Sequence, residues 1–253
     1  MALIHANFHS ESLQRQVCFN AVIPIRKEKP LRTLYLLHGI YGNYTNWVTN
    51  TRVALWAEER NLAVIMPSAE NSFYLDNENS RAMYADFFGR EIVEIARELF
   101  PLSHARSDTF IAGLSMGGYG AMRTGLKFYE TFGAIAGMSS AFILEDAQNF
   151  NDDSSALIAR KSYFESVFGD LQKVIGSDKD PKKLILDLKK EDLPRIYLCC
   201  GTEDFIIEQN RDFHGFLREK KIAHTYVEGA GAHNWLFWDK HISKVINWLL
   251  GEN

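Results

Sequence analysis

The sequence predicts an α/β protein whose sheet is mostly parallel and doubly wound. Short, continuously apolar runs alternate with amphipathic helical segments along the chain. This alternation is what a parallel sheet covered by helices on both faces requires, because each strand is buried on both sides. Glycine and polar residues follow the apolar runs and mark the loops. At 253 residues, the chain fits one such domain with a well-buried core, so we expect a single domain over residues 1–253.

The N-terminal segment differs from the rest of the predicted sheet. Residues 3–25 alternate loosely between apolar and polar side chains, which predicts antiparallel strands at the sheet edge. The strands predicted after them are Leu31–Leu37, Ala63–Met66, Thr109–Ala112, Phe132–Met138, Arg195–Cys200 and Thr225–Val227. The predicted helices are Trp47–Arg60, Arg81–Phe100, Met116–Phe128, 206–221 and Trp235–Leu250.

Residues 141–190 interrupt the alternation of strands and helices. They are richer in charged and polar residues and contain no strand-like run at the expected interval. Because open α/β sheets bind ligands at the carboxyl ends of their strands, an insertion of helices and loops there is expected to form a small lid. A separate domain is the less favoured interpretation.

Charge and cysteine content narrow the function classes. The net charge is −4 and the basic residues are dispersed, so we expect no nucleic-acid partner and no anionic membrane partner. The N-terminus lacks the pattern of a signal peptide, and no stretch approaches 18 uninterrupted apolar residues. The three cysteines, Cys18, Cys199 and Cys200, form neither a disulfide framework nor a metal-binding spacing. A cytoplasmic location, no metal and no cofactor are expected.

The strongest motif is Gly113-Leu114-Ser115-Met116-Gly117-Gly118, which matches G-x-S-x-G between a predicted strand and a predicted helix. In the α/β-hydrolase fold this sharp turn lifts a nucleophilic serine above the sheet, and the flanking glycines remove clashing Cβ atoms. The alternative is a glycine-rich structural turn with an incidental serine. The strand and helix on either side favour Ser115 as a nucleophile.

A nucleophilic serine needs a base, and the base needs an acid that orients it. In this fold they follow in the order serine, acid, histidine. Among the later histidines only His233 lies in a small-residue loop beyond the last predicted strand, and the others are expected at packing or surface positions. Asp204 follows the preceding strand and is the predicted acid, with its neighbour Glu203 as the competitor. A cluster of acids at a helix start is the alternative for both.

Two backbone amides are candidates for the oxyanion hole. One is the N–H of Met116, directly after the nucleophile, and the other is the N–H of Ile40, in the loop after Leu31–Leu37. We expect His38 to brace that loop by hydrogen bonding, which is favoured over a catalytic role.

Aromatic residues gather in the loops beside these positions: Tyr44, Trp47, Phe73, Tyr74, Phe205 and Trp235. Trp47, Tyr74, Phe205 and Trp235 are the candidates for substrate binding, and core packing is the equal alternative for each one alone.

These motifs together resemble the esterase D group of α/β-hydrolases, and within it the small tributyrin, acetyl and feruloyl esterases of bacteria. The resemblance covers most of the chain and rests on residues 36–39 with Gly42, Asn43 and Trp47, residues 113–121, residues 201–204, and His233 with Trp235. It implies cytoplasmic, metal-independent hydrolysis of short-chain acyl esters, including acetylated or hydroxycinnamoylated sugars, often in a homo-oligomer. The chain departs from the hydroxycinnamoyl esterases in residues 141–190, where their aromatic-acid pocket is built.

The sequence therefore predicts a serine carboxylesterase that acts on a small ester through an acyl-enzyme. An acyltransferase would use the same intermediate with an alcohol acceptor in place of water. A thioesterase similar to S-formylglutathione hydrolases, a more distant resemblance, is a further alternative. A non-catalytic binding protein on the same scaffold is disfavoured, because every catalytic position is intact.

Overall fold

Eight strands form one mixed sheet in the computed structural model, which describes residues 1–25, 29–77, 80–153, 155–156 and 159–252. The strands are β1 (Ala2–Ser10), β2 (Arg15–Ile23), β3 (Arg32–Leu37), β4 (Leu62–Pro67), β5 (Thr109–Leu114), β6 (Ala134–Met138), β7 (Arg195–Gly201) and β8 (Thr225–Gly229). Their order is β1-β2-β4-β3-β5-β6-β7-β8. In this order, β4 and the five strands that follow it pair in parallel. β1 pairs with β2, and β2 with β4, in antiparallel fashion.

Helices cover both faces of this sheet. They are α1 (Asn46–Asn50), α2 (Val53–Glu59), α3 (Tyr84–Asp86), α4 (Ile92–Leu99), α5 (Met116–Lys127), α6 (Leu144–Ala147), α7 (Lys161–Phe168), α8 (Pro181–Asp187), α9 (Ile207–Glu219) and α10 (Trp235–Leu250). Within the described ranges, none of them has both the length and the apolar composition that crossing a bilayer requires.

The parallel strands are buried on both faces, and alternate residues enter two separate cores. In β3, Tyr35 and Leu37 face the core formed with α4, α5 and α9, while Leu34 and Leu36 face the core formed with α2 and α10. Successive side chains of a strand point to opposite faces, so a strand between two helical layers must be apolar throughout. The mostly parallel, doubly wound sheet predicted from the apolar runs is therefore confirmed.

The N-terminal strands differ in one respect from the prediction. β1 lies at the sheet edge with alternating exposed and half-buried residues, as expected. β2, however, also pairs with β4, with Phe19 opposite Pro67, so it is an interior strand. Its second half is buried throughout, which the loose alternation of residues 3–25 did not indicate.

Two predicted helices have different boundaries from those expected. The helix predicted over Trp47–Arg60 is divided into α1 and α2, because Thr51 is extended with φ −139° and ψ 169°. The Arg52 backbone N–H and guanidinium instead bind Asp239 of α10. The helix predicted over Arg81–Phe100 begins at Tyr84 and contains a π-helical turn over Phe87–Glu91.

The predicted insertion over 141–190 carries α6, α7 and α8 and, among its described residues, no strand. Residues 154, 157 and 158 lie outside the described residues. Its later part is tied to α5: the Tyr119 hydroxyl donates to the Lys179 carbonyl at 2.5 Å, and the buried Arg123 guanidinium lies 2.8 Å from the Asp178 carboxylate. Its action as a lid stays a prediction.

Helix α5 approaches the end of β3 so closely that a side chain at Gly117 has no room. A Cβ atom there would lie 2.5 Å from the His38 carbonyl oxygen and 2.6 Å from the Leu37 carbonyl oxygen. Both neighbours are backbone atoms at the end of a central strand. Only a shift of the helix or the strand could relieve the contact.

We therefore expect Gly117→Ala to lower the free energy of unfolding by about 1–3 kcal/mol, because the added methyl group overpacks the helix against backbone. Gly215→Ala is the matched control, since Gly215 lies within α9 and a Cβ there meets nothing within 4 Å. That change should raise the free energy of unfolding by roughly 0.5–1 kcal/mol through helix propensity. Urea denaturation measures both, and equal stability of the two variants would contradict the packing argument.

Candidate active site

Ser115 lies in the turn between β5 and α5, in a backbone conformation that residues with a side chain rarely adopt. Its φ is 53° and its ψ is −120°. The Ser115 N–H donates to the Met138 carbonyl at 3.0 Å, and its own carbonyl accepts from the N–H groups of Gly118 and Ala141. Strain of this kind persists only where surrounding contacts hold it, and these bonds hold the turn.

The structure brings Ser115, His233 and Asp204 together, although they lie far apart in the sequence. His233 Nε2 is 3.0 Å from Ser115 Oγ. His233 Nδ1 is 2.9 Å and 3.0 Å from the two carboxylate oxygens of Asp204. A carboxylate accepts only, so Nδ1 carries the proton and Nε2 is left to accept the serine hydroxyl. This arrangement can activate the serine for attack on an electrophilic carbon.

Asp204 is buried and its carboxylate is multiply hydrogen bonded. Burial by itself would raise the pKa of Asp204, but the hydrogen bond and charge of His233 lower it. The N–H of Ile206, 3.1 Å from Oδ1, and the Ser139 hydroxyl lower it further. The net result is a pKa below the usual range, which keeps the acid ionised beside the imidazole.

Glu203, the competing acid in the sequence, holds the loop that carries His233. Its carboxylate accepts from the Gly231 N–H at 2.5 Å, and its own N–H donates to the Gly231 carbonyl at 3.1 Å. The Thr202 hydroxyl also donates to Glu203, and these bonds lower the pKa of the Glu203 carboxyl. The side chain therefore acts on the histidine through the backbone two residues before it.

The amides predicted for an oxyanion hole both lie beside the serine. Ile40 and Met116 line the same cavity as Ser115. Among the described residues, no hydrogen bond uses the N–H of either. Met116 is the first residue of α5, where backbone N–H groups have no partner inside the helix. Both groups remain available to a ligand oxygen.

His38 braces the loop that contains Ile40. Its Nδ1–H donates to the Gly39 carbonyl at 2.7 Å, and its Nε2 accepts from the Ala69 N–H at 2.8 Å. Burial lowers the pKa of His38 to about 4, against a smaller opposite effect of the bond to Gly39. The imidazole is therefore neutral and holds two loops together, as its place in the sequence indicated.

Two cavities have Ser115 in their lining. The first, of about 440 Å³, is mainly apolar and aromatic. We call it the Phe73 cavity; its lining is Ile40, Phe73, Ser115, Met116, Ala141, Ile143, Asp146, Asn149, Phe150, Phe164, Phe205, Ile206 and Gln209. The second, of about 470 Å³, contains His233. We call it the Trp235 cavity; its lining is Gly39, Ile40, Tyr41, Gly42, Asn46, Leu114, Ser115, Phe205, His233, Asn234, Trp235 and Trp238.

The four aromatic residues predicted to bind substrate divide into two pairs. Phe205 lines both cavities and Trp235 lines the second. The structure does not bring Trp47 or Tyr74 to either cavity. The Trp47 indole is buried and donates to the Leu37 carbonyl at 3.0 Å, and the Tyr74 hydroxyl donates to the His38 carbonyl at 2.8 Å. These two side chains support the loop beneath the site.

Several lining residues were not among the sequence candidates. Phe73 is one of the aromatic residues in these loops, but the sequence gives no reason to prefer it to its neighbour Tyr74. The insertion contributes Ile143, Asp146, Phe150 and Phe164. Its predicted position above the sheet was the available signal, but an irregular segment gives no periodicity that tells which side chains face inward.

The remaining titratable clusters lie outside this site. His214 and His224 bond each other at 2.7 Å, and His241 is buried with Nδ1 2.9 Å from the Phe237 carbonyl. Within the described ranges, no three His, Cys, Asp or Glu side chains are placed to hold a metal ion.

Comparisons with known proteins show the family of the chain. The sequence profile of the family described as "Putative esterase" matches residues 10–249. The chain is 41% identical over 261 aligned residues to an acetyl esterase of Caldicellulosiruptor saccharolyticus, covering 98% of both proteins. It superposes on the fluorophosphonate-binding serine hydrolase FphF of Staphylococcus aureus with a TM-score of 0.87 at 30% identity. For the S-formylglutathione hydrolase FrmB of that organism the TM-score is 0.85 at 29% identity, and both superpositions cover 98% of each chain.

We expect Glu203→Leu to reduce kcat by about tenfold, because small displacements of a reacting group lower rates steeply. The change removes the bond to the Gly231 N–H and leaves Asp204 in place. Glu203→Gln keeps an acceptor oxygen and should recover most of the activity, with KM little changed in both variants. Steady-state kinetics on a p-nitrophenyl ester gives the answer, and a Leu variant with wild-type kcat would remove Glu203 from any positioning role.

The depressed pKa of His38 makes folding stability depend on pH. In the unfolded chain the imidazole takes up a proton near pH 6.5, whereas the folded protein takes it up only near pH 4. The free energy of unfolding therefore falls as the pH drops from 6.5 towards 4, by up to about 1.4 kcal/mol per pH unit. Below pH 4 both states are protonated and the loss ends.

In His38→Gln this contribution is absent, so the loss of unfolding free energy between pH 7 and pH 5 should be smaller by about 1–2 kcal/mol. Urea denaturation of both proteins at the two pH values measures the difference. Between pH 7 and pH 8 the difference in the free energy of unfolding between the two proteins should stay constant. Identical pH profiles from pH 5 to pH 7 would show that His38 is not held neutral by burial.

Proposed function

This chain belongs to the putative esterase family and is a carboxylic ester hydrolase; we propose that it hydrolyses short-chain acyl esters through Ser115, His233 and Asp204. The observation that carries the proposal is the continuous set of bonds from the Ser115 hydroxyl through the His233 imidazole to the buried Asp204 carboxylate. Each group is already within hydrogen-bonding distance of the next.

In the first half of the reaction, Ser115 Oγ attacks the ester carbonyl while its proton passes to His233 Nε2. Asp204 keeps the imidazole oriented and stabilises the positive charge that it gains. Negative charge develops on the carbonyl oxygen, which the N–H groups of Met116 and Ile40 receive. His233 then gives the proton to the leaving alcohol, and the acyl group stays on the serine.

In the second half, water takes the place of the alcohol. His233 removes a proton from the water, the resulting tetrahedral intermediate is stabilised by the same two amides, and its collapse releases the acid and returns the proton to Ser115. Because one imidazole serves both halves, the alcohol and the water must occupy its side of the serine in turn.

This requirement assigns the two cavities. His233 lines the Trp235 cavity, so the leaving alcohol occupies that side and the acyl group occupies the Phe73 cavity. Phe205 lines both and separates the two parts of the substrate. The similarity to an acetyl esterase supports acetyl and other short acyl groups, including those of acetylated carbohydrates. Hydroxycinnamoylated carbohydrates are the bulkier substrate class that we propose, supported by the aromatic residues in the lining of the Phe73 cavity.

Thioester hydrolysis is the second candidate, supported by the similarity to an S-formylglutathione hydrolase. The charge of the site favours the oxygen ester. Among the described residues, neither cavity beside Ser115 is lined by a lysine or an arginine, and their titratable side chains are Tyr41, Asp146 and His233. A leaving group with free carboxylates, such as glutathione, would find no cationic partner there. Transfer of the acyl group to an added alcohol is tested by analysing the products.

We expect Ser115→Ala to reduce kcat on p-nitrophenyl acetate and butyrate by about 10⁶-fold, the scale on which serine hydrolases lose activity without their nucleophile. Ser107→Ala is the matched control, because Ser107 is exposed and lines neither cavity. A fluorophosphonate probe should label the wild type and the Ser107 variant but not the Ser115 variant. Undiminished turnover or labelling of Ser115→Ala would eliminate this mechanism.

A further inference from the structure

The Phe73 cavity contains a polar pair that the proposed hydrolysis does not use. Among the described residues that line it, the polar ones apart from Ser115 are Asp146, Asn149 and Gln209, and the others are apolar. Asp146 lies on α6 of the insertion and Gln209 on α9, beyond Asp204. The pair therefore joins the insertion to the helix that follows the catalytic acid.

Asp146 and Gln209 bond each other in a way that leaves two acceptors without a donor. Gln209 Nε2 donates to Asp146 Oδ2 at 2.7 Å. Oδ1 of Asp146 has no hydrogen-bond partner among the described residues, and neither has the buried Oε1 of Gln209. Asp146 is likewise in none of the ion pairs seen in the described part of the chain.

This orientation cannot be exchanged for the reverse one. With the Gln209 amide flipped, its oxygen would face a carboxylate oxygen and both would lack a proton, so Asp146 fixes the direction of the amide. Oε1 of Gln209 is buried out of reach of a ligand, whereas Asp146 is only half-buried. The free Oδ1 of Asp146 is therefore the acceptor that the wall of this mainly apolar cavity offers to a ligand that brings a donor.

We propose that Asp146, oriented by Gln209, selects esters whose acyl group carries a hydroxyl. The proposal rests on the proposed function, since it takes the Phe73 cavity as the acyl site. Apolar and aromatic side chains would contact the hydrocarbon part of the acyl group, and the hydroxyl would donate to the carboxylate. Acyl groups with a carboxylate would be repelled by Asp146, and plain alkanoyl groups would leave it without a donor.

A hydroxyl suits this wall better than an ammonium group. An ammonium ion in the Phe73 cavity would lose its hydration among apolar side chains and gain one carboxylate, and such desolvation is often not repaid. A hydroxyl loses less hydration and still forms a charge-assisted bond, which is stronger than a bond between neutral groups. The preferred substrates are therefore hydroxyacyl esters.

The test compares kcat/KM for p-nitrophenyl 3-hydroxybutyrate and 6-hydroxyhexanoate with the values for butyrate and hexanoate. In the wild type the hydroxylated esters should be favoured. In Asp146→Asn the ratio of hydroxylated to plain ester should fall by about 10- to 100-fold, the worth of a hydrogen bond to a charged group. Gln209→Leu should lower the ratio in the same direction, because Asp146 loses its orientation.

Glu145→Gln is the matched control. Glu145 is the neighbouring acid on α6, is exposed, pairs with Lys182, and does not line the Phe73 cavity. Its change removes the same charge outside the cavity, and the ratio should stay at the wild-type value. A further assay with p-nitrophenyl 6-aminohexanoate compares an ammonium donor with a hydroxyl donor. A preference for that ester over 6-hydroxyhexanoate would overturn the hydroxyl assignment.

Binding without turnover separates this inference from the proposed mechanism. Calorimetric titration with 6-hydroxyhexanamide and hexanamide should show tighter binding of the hydroxylated amide to wild-type protein, and a smaller difference in Asp146→Asn. Equal affinities, or equal kcat/KM ratios in the wild type and the Asn variant, would overturn the role of Asp146. Neither result would affect the hydrolysis of plain esters by Ser115. If the wild-type protein did not hydrolyse plain esters, that result would contradict the proposed function instead.

Discussion

The close contact of strand β5, helix α5 and the end of β3 is the constraint on which the site depends. Gly113 has no room for a Cβ atom, since one would lie 2.3 Å from the Gly117 carbonyl oxygen, and Gly117 has none beside the His38 carbonyl. The reversal is therefore tight, and Ser115 takes a positive φ of 53° between the two. Bonds to Met138 and Ala141 on the neighbouring strand and its loop hold that conformation. The sheet thus fixes the serine before any ligand arrives.

The order of the strands explains how distant residues meet this serine. β5, β6, β7 and β8 are parallel neighbours, so the loops after them open at the same edge of the sheet. The loop after β7 carries Asp204 and the loop after β8 carries His233. The loop after β6 contributes Ser139, whose hydroxyl accepts from the Trp238 indole at 3.2 Å and helps to lower the pKa of Asp204. A separation of 118 residues between serine and histidine becomes 3.0 Å.

The sequence predicted the turn at Ser115 and the positions of Asp204 and His233. Each of them depends on a short local motif and on the strand that the motif follows. The sequence could not predict features decided by contacts between distant segments. The break between α1 and α2 follows from Asp239, which binds Arg52 from across the fold. Phe73 and Tyr74 are adjacent and both have positive φ, of 51° and 61°. That backbone turns Phe73 to the cavity and Tyr74 onto Gly120, where a Cβ would meet its ring at 2.2 Å. Their aromatic character alone gave no reason to choose between them.

The groups proposed to catalyse the reaction and the groups proposed to select the substrate lie on different parts of the chain. The sheet and its loops supply the proposed nucleophile, base, acid and oxyanion donors, and all of these lie on elements fixed by short contacts. The insertion supplies Ile143, Asp146, Phe150 and Phe164 to the Phe73 cavity, while its later part is anchored to α5 through Arg123. These four side chains can change without disturbing the turn at Ser115, because the bond from the insertion to that turn comes from the backbone N–H of Ala141. With the Phe73 cavity as the proposed acyl site, selectivity for the acyl group can therefore vary independently of the proposed catalytic groups.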